Sequence, residues 1–208
     1  MEWFYNLYGW QQALIATTFT WALTALGALP VFFCKSVGKG AFSFMMSSAA
    51  GIMLASTFFS LLMPALETGV NLAWLVLTSG FVHGGFLIIV TDIVTEKLNI
   101  FSDNTKKRRC AVMCAAVTIH NIPEGMAVGV AFGALAGGSG VGAVAAIMLA
   151  VGIGIQNFPE GMCVAFPLRA NGMSRFKSFF IGQLSGAVEI IAGVTGALAV
   201  TFASGILP

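Results

Sequence analysis

Six stretches of this chain are each apolar over the length of helix needed to cross a bilayer, about 20 residues, and that pattern excludes a water-soluble core. They run from Gln11 to Phe33, Phe42 to Leu66, Leu72 to Val94, Cys110 to Leu135, Val141 to Leu168 and Phe179 to Phe202. The segments between them are too short to house another domain, so residues 1–208 are expected to form one all-α integral membrane domain of six transmembrane helices. Composition agrees. With 58% hydrophobic and 9% charged residues and a mean hydropathy of +0.92, the chain lies outside the soluble globular range.

The ten Lys and Arg residues fall in three alternate loops: Lys35 and Lys39; Lys97, Lys106, Lys107, Arg108 and Arg109; Arg169, Arg175 and Lys177. By the positive-inside rule these loops face the cytoplasm, and both termini of this cell-membrane protein are expected outside. The net charge of +2 is thus topological, and no nucleic-acid partner is expected. The chain opens on Met1-Glu2-Trp3-Phe4-Tyr5 without a basic segment, so no cleavable signal is expected. Trp3, Tyr5, Tyr8 and Trp10 read as an interfacial belt in contact with the lipid bilayer. Cys34, Cys110, Cys114 and Cys163 lack C-x-x-C spacing and read as packing residues rather than a disulfide framework.

One internal repeat stands out. Asn-x-Pro-Glu-Gly-Met-x-Val occurs at Asn121 to Val128 and again at Asn157 to Val164, on consecutive spans that run in opposite directions. That is the arrangement of an inverted repeat around a midplane site. Glu124, Glu160 and Glu189 lie well inside apolar spans, where an ionised carboxylate costs roughly 2.5–3.5 kcal/mol on insertion scales. No Lys or Arg shares those spans. A cation, a proton or a water-filled path must therefore compensate the charge.

His120 and Glu124 are four residues apart and share a helix face, about 6 Å apart along the axis. Gln156 and Glu160 repeat the spacing. Crossing the two helices antiparallel brings an imidazole, an amide oxygen and two carboxylates around one point. That set suits Zn²⁺ and other first-row divalent ions better than Mg²⁺ or Ca²⁺. Pro123 and Pro159 release the carbonyls of Ile119 and Ile155 from the helix ladder. Such a break is tolerated at this depth where it lines a cavity or meets polar neighbours.

Asn121 and Asn157 point about 100° away from His120 and Gln156, which suggests a second cluster completed by Glu189. Gly125, Gly129 and Gly133 on the fourth span, and Gly182 and Gly186 on the sixth, are spaced for close helix contact. His83 reads as a histidine hydrogen-bonded in a helix interface, Asp92 as an ordinary end-of-helix acid, and Met45, Met46, Met53 and Met63 as packing residues. A soft-metal path would need thiolates or thioethers clustered with the motifs.

The paired H-N-x-P-E-G and Q-N-x-P-E-G motifs on consecutive helices resemble those of the ZIP family of zinc and iron transporters, in particular its prokaryotic GufA-type branch. The resemblance extends from Ala16-Thr17-Thr18-Phe19-Thr20-Trp21 on the first span to the sixth, and the six spans resemble the first six of the eight-helix ZIP fold. It implies a binuclear site: His120, Gln156, Glu124 and Glu160 hold one ion, and Asn121, Asn157 and Glu189 help hold a second. The carboxylates of Glu124 and Glu160 would bridge the two. It also implies alternating access, with the first, fourth, fifth and sixth helices sliding against a scaffold that dimerises.

Two departures go with the resemblance. The seventh and eighth family helices are expected to be absent, and Asn99 to Thr105 carries no histidine cluster. The leading expectation is uptake of Zn²⁺, with Fe²⁺, Mn²⁺ or Cd²⁺ as further substrates, and no covalent chemistry. The alternative is a truncated membrane protein that binds metal but cannot transport alone. An intramembrane metal-dependent hydrolase is the remote one, since no H-E-x-x-H is present and every strong ligand is already used.

Overall fold

The first span has an inside-out pattern. Helix α1 (Gly9–Ala28) buries Gln12, Thr17, Thr20 and Thr24 almost completely, at helical spacing, and turns Leu14, Ile15, Phe19 and Leu26 outward. In lipid this is the favourable arrangement, because hydrocarbon solvates the apolar face while small and polar residues find partners inside the bundle. The Tyr8 N–H at its start is satisfied by Gln11 Oε1 at 3.1 Å. Its last turn tightens into a 3₁₀ turn, Leu29–Phe32, at Pro30, which has no N–H to extend the α ladder.

The protein is described here by a computed structural model covering residues 2–34, 38–63, 66, 71–97, 105–137 and 142–206. A short helix, Glu2–Tyr5, precedes α1. The others are α2 (Lys39–Ser56, continued by a π-helical segment, Thr57–Leu62), α3 (Ala73–Lys97), α4 (Thr105–Ala136), α5 (Ala143–Ala170) and α6 (Arg175–Ile206). The chain is an all-α membrane protein. Among the described residues, four helices are long and apolar enough to cross a bilayer: Gly9–Phe32, Cys110–Ala136, Ala143–Ala170 and Arg175–Ala203. α2 and α3 stand where the second and third spans are expected, but do not number among those four. α4 and α6 begin several residues before the expected Cys110 and Phe179, because Lys106–Arg109 and Arg175–Lys177 continue the helices past the apolar stretch.

α1, α4, α5 and α6 form the packed bundle; α2 touches α5, and α3 touches α4. The glycine stripe of α4 does what its spacing suggests. Gly125, Gly129 and Gly133 lie against Glu189, Gly193 and Ala197 of α6, and a Cβ added at Gly125 would stand 2.5 Å from the Glu189 carbonyl oxygen. The register stays constant along both helices, so α4 and α6 run parallel. α5 rests on α1 in the same way, with Gly161 against the Thr24 backbone and Ala165 packed with Ala28. α1 and α6 cross antiparallel, Thr17 meeting Gly193 and Thr24 meeting Gly186.

The two ends of the bundle differ. At one, Phe32 packs on Phe179 with ring centroids 5.2 Å apart, and Asn171 Nδ2 donates to Cys110 Sγ at 3.1 Å. This end gathers the helix termini that adjoin the basic segments. At the other, Phe4 meets Phe132 edge-on at 5.8 Å and Gly9 meets Gly133.

Candidate metal centre

Both motif copies remain helical through Pro123 and Pro159, and the antiparallel crossing of α4 and α5 turns them toward each other. One ligand atom from each of His120, Glu124 and Glu160 lies within 4.8 Å of the other two. His120 Nε2 is 3.3 Å from Glu124 Oε1. Gln156 joins them through its amide nitrogen, which donates to Glu124 Oε1. For its oxygen to ligate an ion, as the sequence suggests, the amide must turn over, a rotation that exchanges donor for acceptor without moving the helix.

Asn157 and Glu189 are brought together on the adjoining face, the former donating to Glu189 Oε1 at 2.7 Å and to the Thr20 carbonyl at 3.2 Å. Asn121 donates instead to the Ser185 carbonyl of α6 at 2.9 Å. The two asparagines thus repeat one device. Each clamps its helix to the backbone of its parallel neighbour, and the glycine four residues on lies against that neighbour one turn further along: Ser185 then Glu189 on α6, Thr20 then Thr24 on α1.

Asn121, Gln156, Asn157 and Glu189 are at most 1% exposed and Glu160 is 7% exposed. Yet many of their polar atoms are unmatched. Among the described residues ten buried side-chain nitrogen or oxygen atoms lack a hydrogen-bond partner, and seven of them are His120 Nε2, Asn121 Oδ1, Glu124 Oε2, Gln156 Oε1, Asn157 Oδ1 and both oxygens of Glu160. His120 Nε2 at least faces Glu124 Oε1 across 3.3 Å; each oxygen costs about 1–3 kcal/mol unless a cation, a proton or water meets it. Six of the seven are oxygens. A cation relieves carboxylate and amide oxygens together, and neutral imidazole completes a donor set suited to a borderline first-row ion.

Glu189 is different. Its two oxygens are taken, Oε1 by Asn157 and Oε2 by the Thr20 hydroxyl at 2.5 Å. Thr20 is the residue that motif reading missed; its signal was the polar stripe Gln12, Thr17, Thr20, Thr24 on an otherwise apolar span. His83 stands apart from the centre, exposed and bonded through Nδ1 to the Ser79 carbonyl of its own helix at 2.6 Å. The Asp92 side chain lies outside the described residues. All four cysteines are free.

A polytopic helical membrane protein with unmatched acceptors at the crossing of two proline-containing helices has the construction of a transporter for cations. Comparison with known proteins agrees. The chain is 33% identical to the human zinc transporter ZIP11 over 95% of its own length and 83% of that protein. It is 32% identical to the zinc transporter GufA of Myxococcus xanthus, over 94% of this chain and 79% of the relative. With the zinc transporter ZIPB of Bordetella bronchiseptica the identity is 29%, covering 84% and 58%. No family model matches. The chain belongs to the ZIP family and has a GufA-like relative. That membership places it among transporters and not enzymes.

Proposed function

We propose that this protein carries Zn²⁺ from outside the cell to the cytoplasm through the centre formed by His120, Glu124, Gln156 and Glu160. The observation that carries the reading is the convergence of unpartnered acceptors from two antiparallel copies of one motif. Zinc as cargo follows from the imidazole–carboxylate donor set and from the zinc-transporter names of the relatives. The basic loops put the α5–α6 turn on the cytoplasmic side, so an ion carried inward leaves the bundle at that end. Fe²⁺, Mn²⁺ and Cd²⁺ are further substrates of the same centre.

Two ions bind. The first is held by His120, Glu124, Glu160 and the Gln156 oxygen. The second takes Asn121 and Asn157 oxygens with Glu189, whose oxygens each accept one hydrogen bond, from Thr20 and Asn157, and keep a lone pair for an ion; Glu124 and Glu160 bridge the pair. Because Glu189 also ties α6 to Thr20 of α1, an ion held by that carboxylate bears on the contact between the two helices, a physical link between occupancy and helix movement. Outward-facing aromatic and aliphatic side chains of α3, such as Trp74, Phe81 and Phe86, suit the dimer face of a scaffold.

Metal flux into liposomes tests the reading. Wild-type protein should load Zn²⁺, and Glu124→Ala/Glu160→Ala should not; equal flux from the two would sink the proposal. Binding by the wild type with no flux would select the non-transporting alternative.

A further inference from the structure

A soft-metal path needs thiols or thioethers beside the motifs, and the fold places them there. Cys163 follows Glu160 by three residues on α5, about 4.5 Å along the axis toward the basic end. Met113 precedes His120 by seven residues on α4, two turns along the same face. Their sulfurs meet across the helix crossing, Cys163 Sγ to Met113 Sδ at 3.8 Å. Beyond them, a cavity of about 730 Å³ opens between α4 and the α5–α6 turn, lined by Cys110, Cys114, Thr118, Asn171, Met173 and Lys177. Cys110 and Cys114 are four residues apart and share the cavity face of α4. Asn171 Nδ2 holds Cys110 Sγ at 3.1 Å.

We propose that these sulfur groups form a soft-donor release route, in which Cys163 with Met113, and then Cys110 with Cys114, receive the ion from the carboxylate–imidazole centre and deliver it to the basic end. Each thiol gives its proton to water, Cys110 and Cys114 to water in the cavity, as a metal–sulfur bond forms, and takes one back when the ion leaves. The donor count suits passage. Four thiolates make a closed structural site that retains zinc, whereas a pair of sulfurs leaves coordination positions to water and binds weakly enough to let the ion go. Thiolate and thioether donors favour Zn²⁺ and Cd²⁺ over Mn²⁺ and Mg²⁺. The route thus adds to the selectivity for borderline and soft ions that His120 alone gives the oxygen-rich centre.

The proposal rests on the transport reading, but its test does not depend on flux. Cd²⁺ added alone to the purified full-length chain should produce the ultraviolet charge-transfer absorption of cadmium–thiolate bonds. The band should persist in Glu124→Ala/Glu160→Ala and disappear in Cys110→Ser/Cys114→Ser/Cys163→Ser, where Cys34 is the one thiol left. No band in the wild type, a band kept by the serine variant, or a band lost with the carboxylates instead, overturns the route. Should the serine variant fail to fold, alkylation of the wild type decides. Cd²⁺ should slow N-ethylmaleimide modification of Cys110, Cys114 and Cys163 and not of Cys34, and unchanged rates at all four overturn the proposal. Equal Zn²⁺ flux from wild type and Glu124→Ala/Glu160→Ala would remove the transport reading while leaving the optical result to judge the sulfur site.

Discussion

The two Asn-x-Pro-Glu-Gly segments share a sequence and a backbone clamp, yet they meet very different surroundings. On α5, Gln156 is 1% exposed and Met162 5%. At the equivalent places on α4, the His120 side chain is 38% exposed and Met126 45%. The cause is packing. α5 is enclosed by α1, α2, α4 and α6, whereas α4 lies mainly against α6 and leaves its other side open. The α5 copy is therefore the enclosed wall of the centre, and the α4 copy is the wall whose far side, with Ile122, Met126 and Val130, is left uncovered by the bundle. Glu160 offers two unmatched oxygens, while Glu124 has one engaged by Gln156 and one unmatched.

Breaking this asymmetry defines a graded set of measurements on the purified chain. Glu160→Gln should weaken Zn²⁺ binding most, by more than about 100-fold, beyond the range typical of residues that only support a ligand; calorimetry reads it directly. Glu124→Gln should cost less, and an equal loss would mean that the two walls are equivalent after all. His120→Gln makes the two copies alike, and should lower Zn²⁺ affinity by roughly 10- to 100-fold while affecting Mn²⁺ far less, since the lost ligand is the softer one. Competition between the two ions detects the shift, and a uniform loss for both would argue that His120 is not a ligand.

Smaller effects test the clamps. Thr20→Val removes the hydroxyl from Glu189 Oε2, and should change Zn²⁺ affinity or flux by about 10-fold through the orientation of that carboxylate. Its counterpart Ser185→Ala should alter either by less than about 3-fold. The clamp on Asn121 uses the Ser185 carbonyl, which alanine keeps, and among the described residues the Ser185 hydroxyl bonds within its own helix, to the Gly182 carbonyl at 2.7 Å. Equal effects from Thr20→Val and Ser185→Ala would remove Glu189 from the site.

Much of this was legible in the chain. The apolar runs identify helices because a buried backbone in lipid has to satisfy itself internally. Four of the expected spans recur as membrane-length helices, and the α4 glycine spacing translated directly into contact with α6. The His120–Glu124 pair needed only helical geometry, since residues four apart share a face whatever surrounds the helix. Thr20 was harder to see. A threonine in a membrane helix usually bonds its own backbone, as Thr17 does to the Ala13 carbonyl, and nothing local separates the one that reaches across. The contact of Cys163 with Met113 was invisible for the same reason: sulfur spacing along one helix says nothing of a methionine on another.

The sequence by itself determined the solvent of this protein, its helices, the carboxylates whose charge needs compensation and the faces on which they stand, because all of these follow from hydropathy and helical period. Tertiary structure decided which neighbour each face meets. It paired α4 with α6 and α5 with α1 through glycine, occupied Glu189 with Thr20 and Asn157 while leaving Glu160 unmatched, and set Cys163 against Met113. Those outcomes depend on backbone approach and rotation between helices far apart in the chain, quantities that no local spacing encodes.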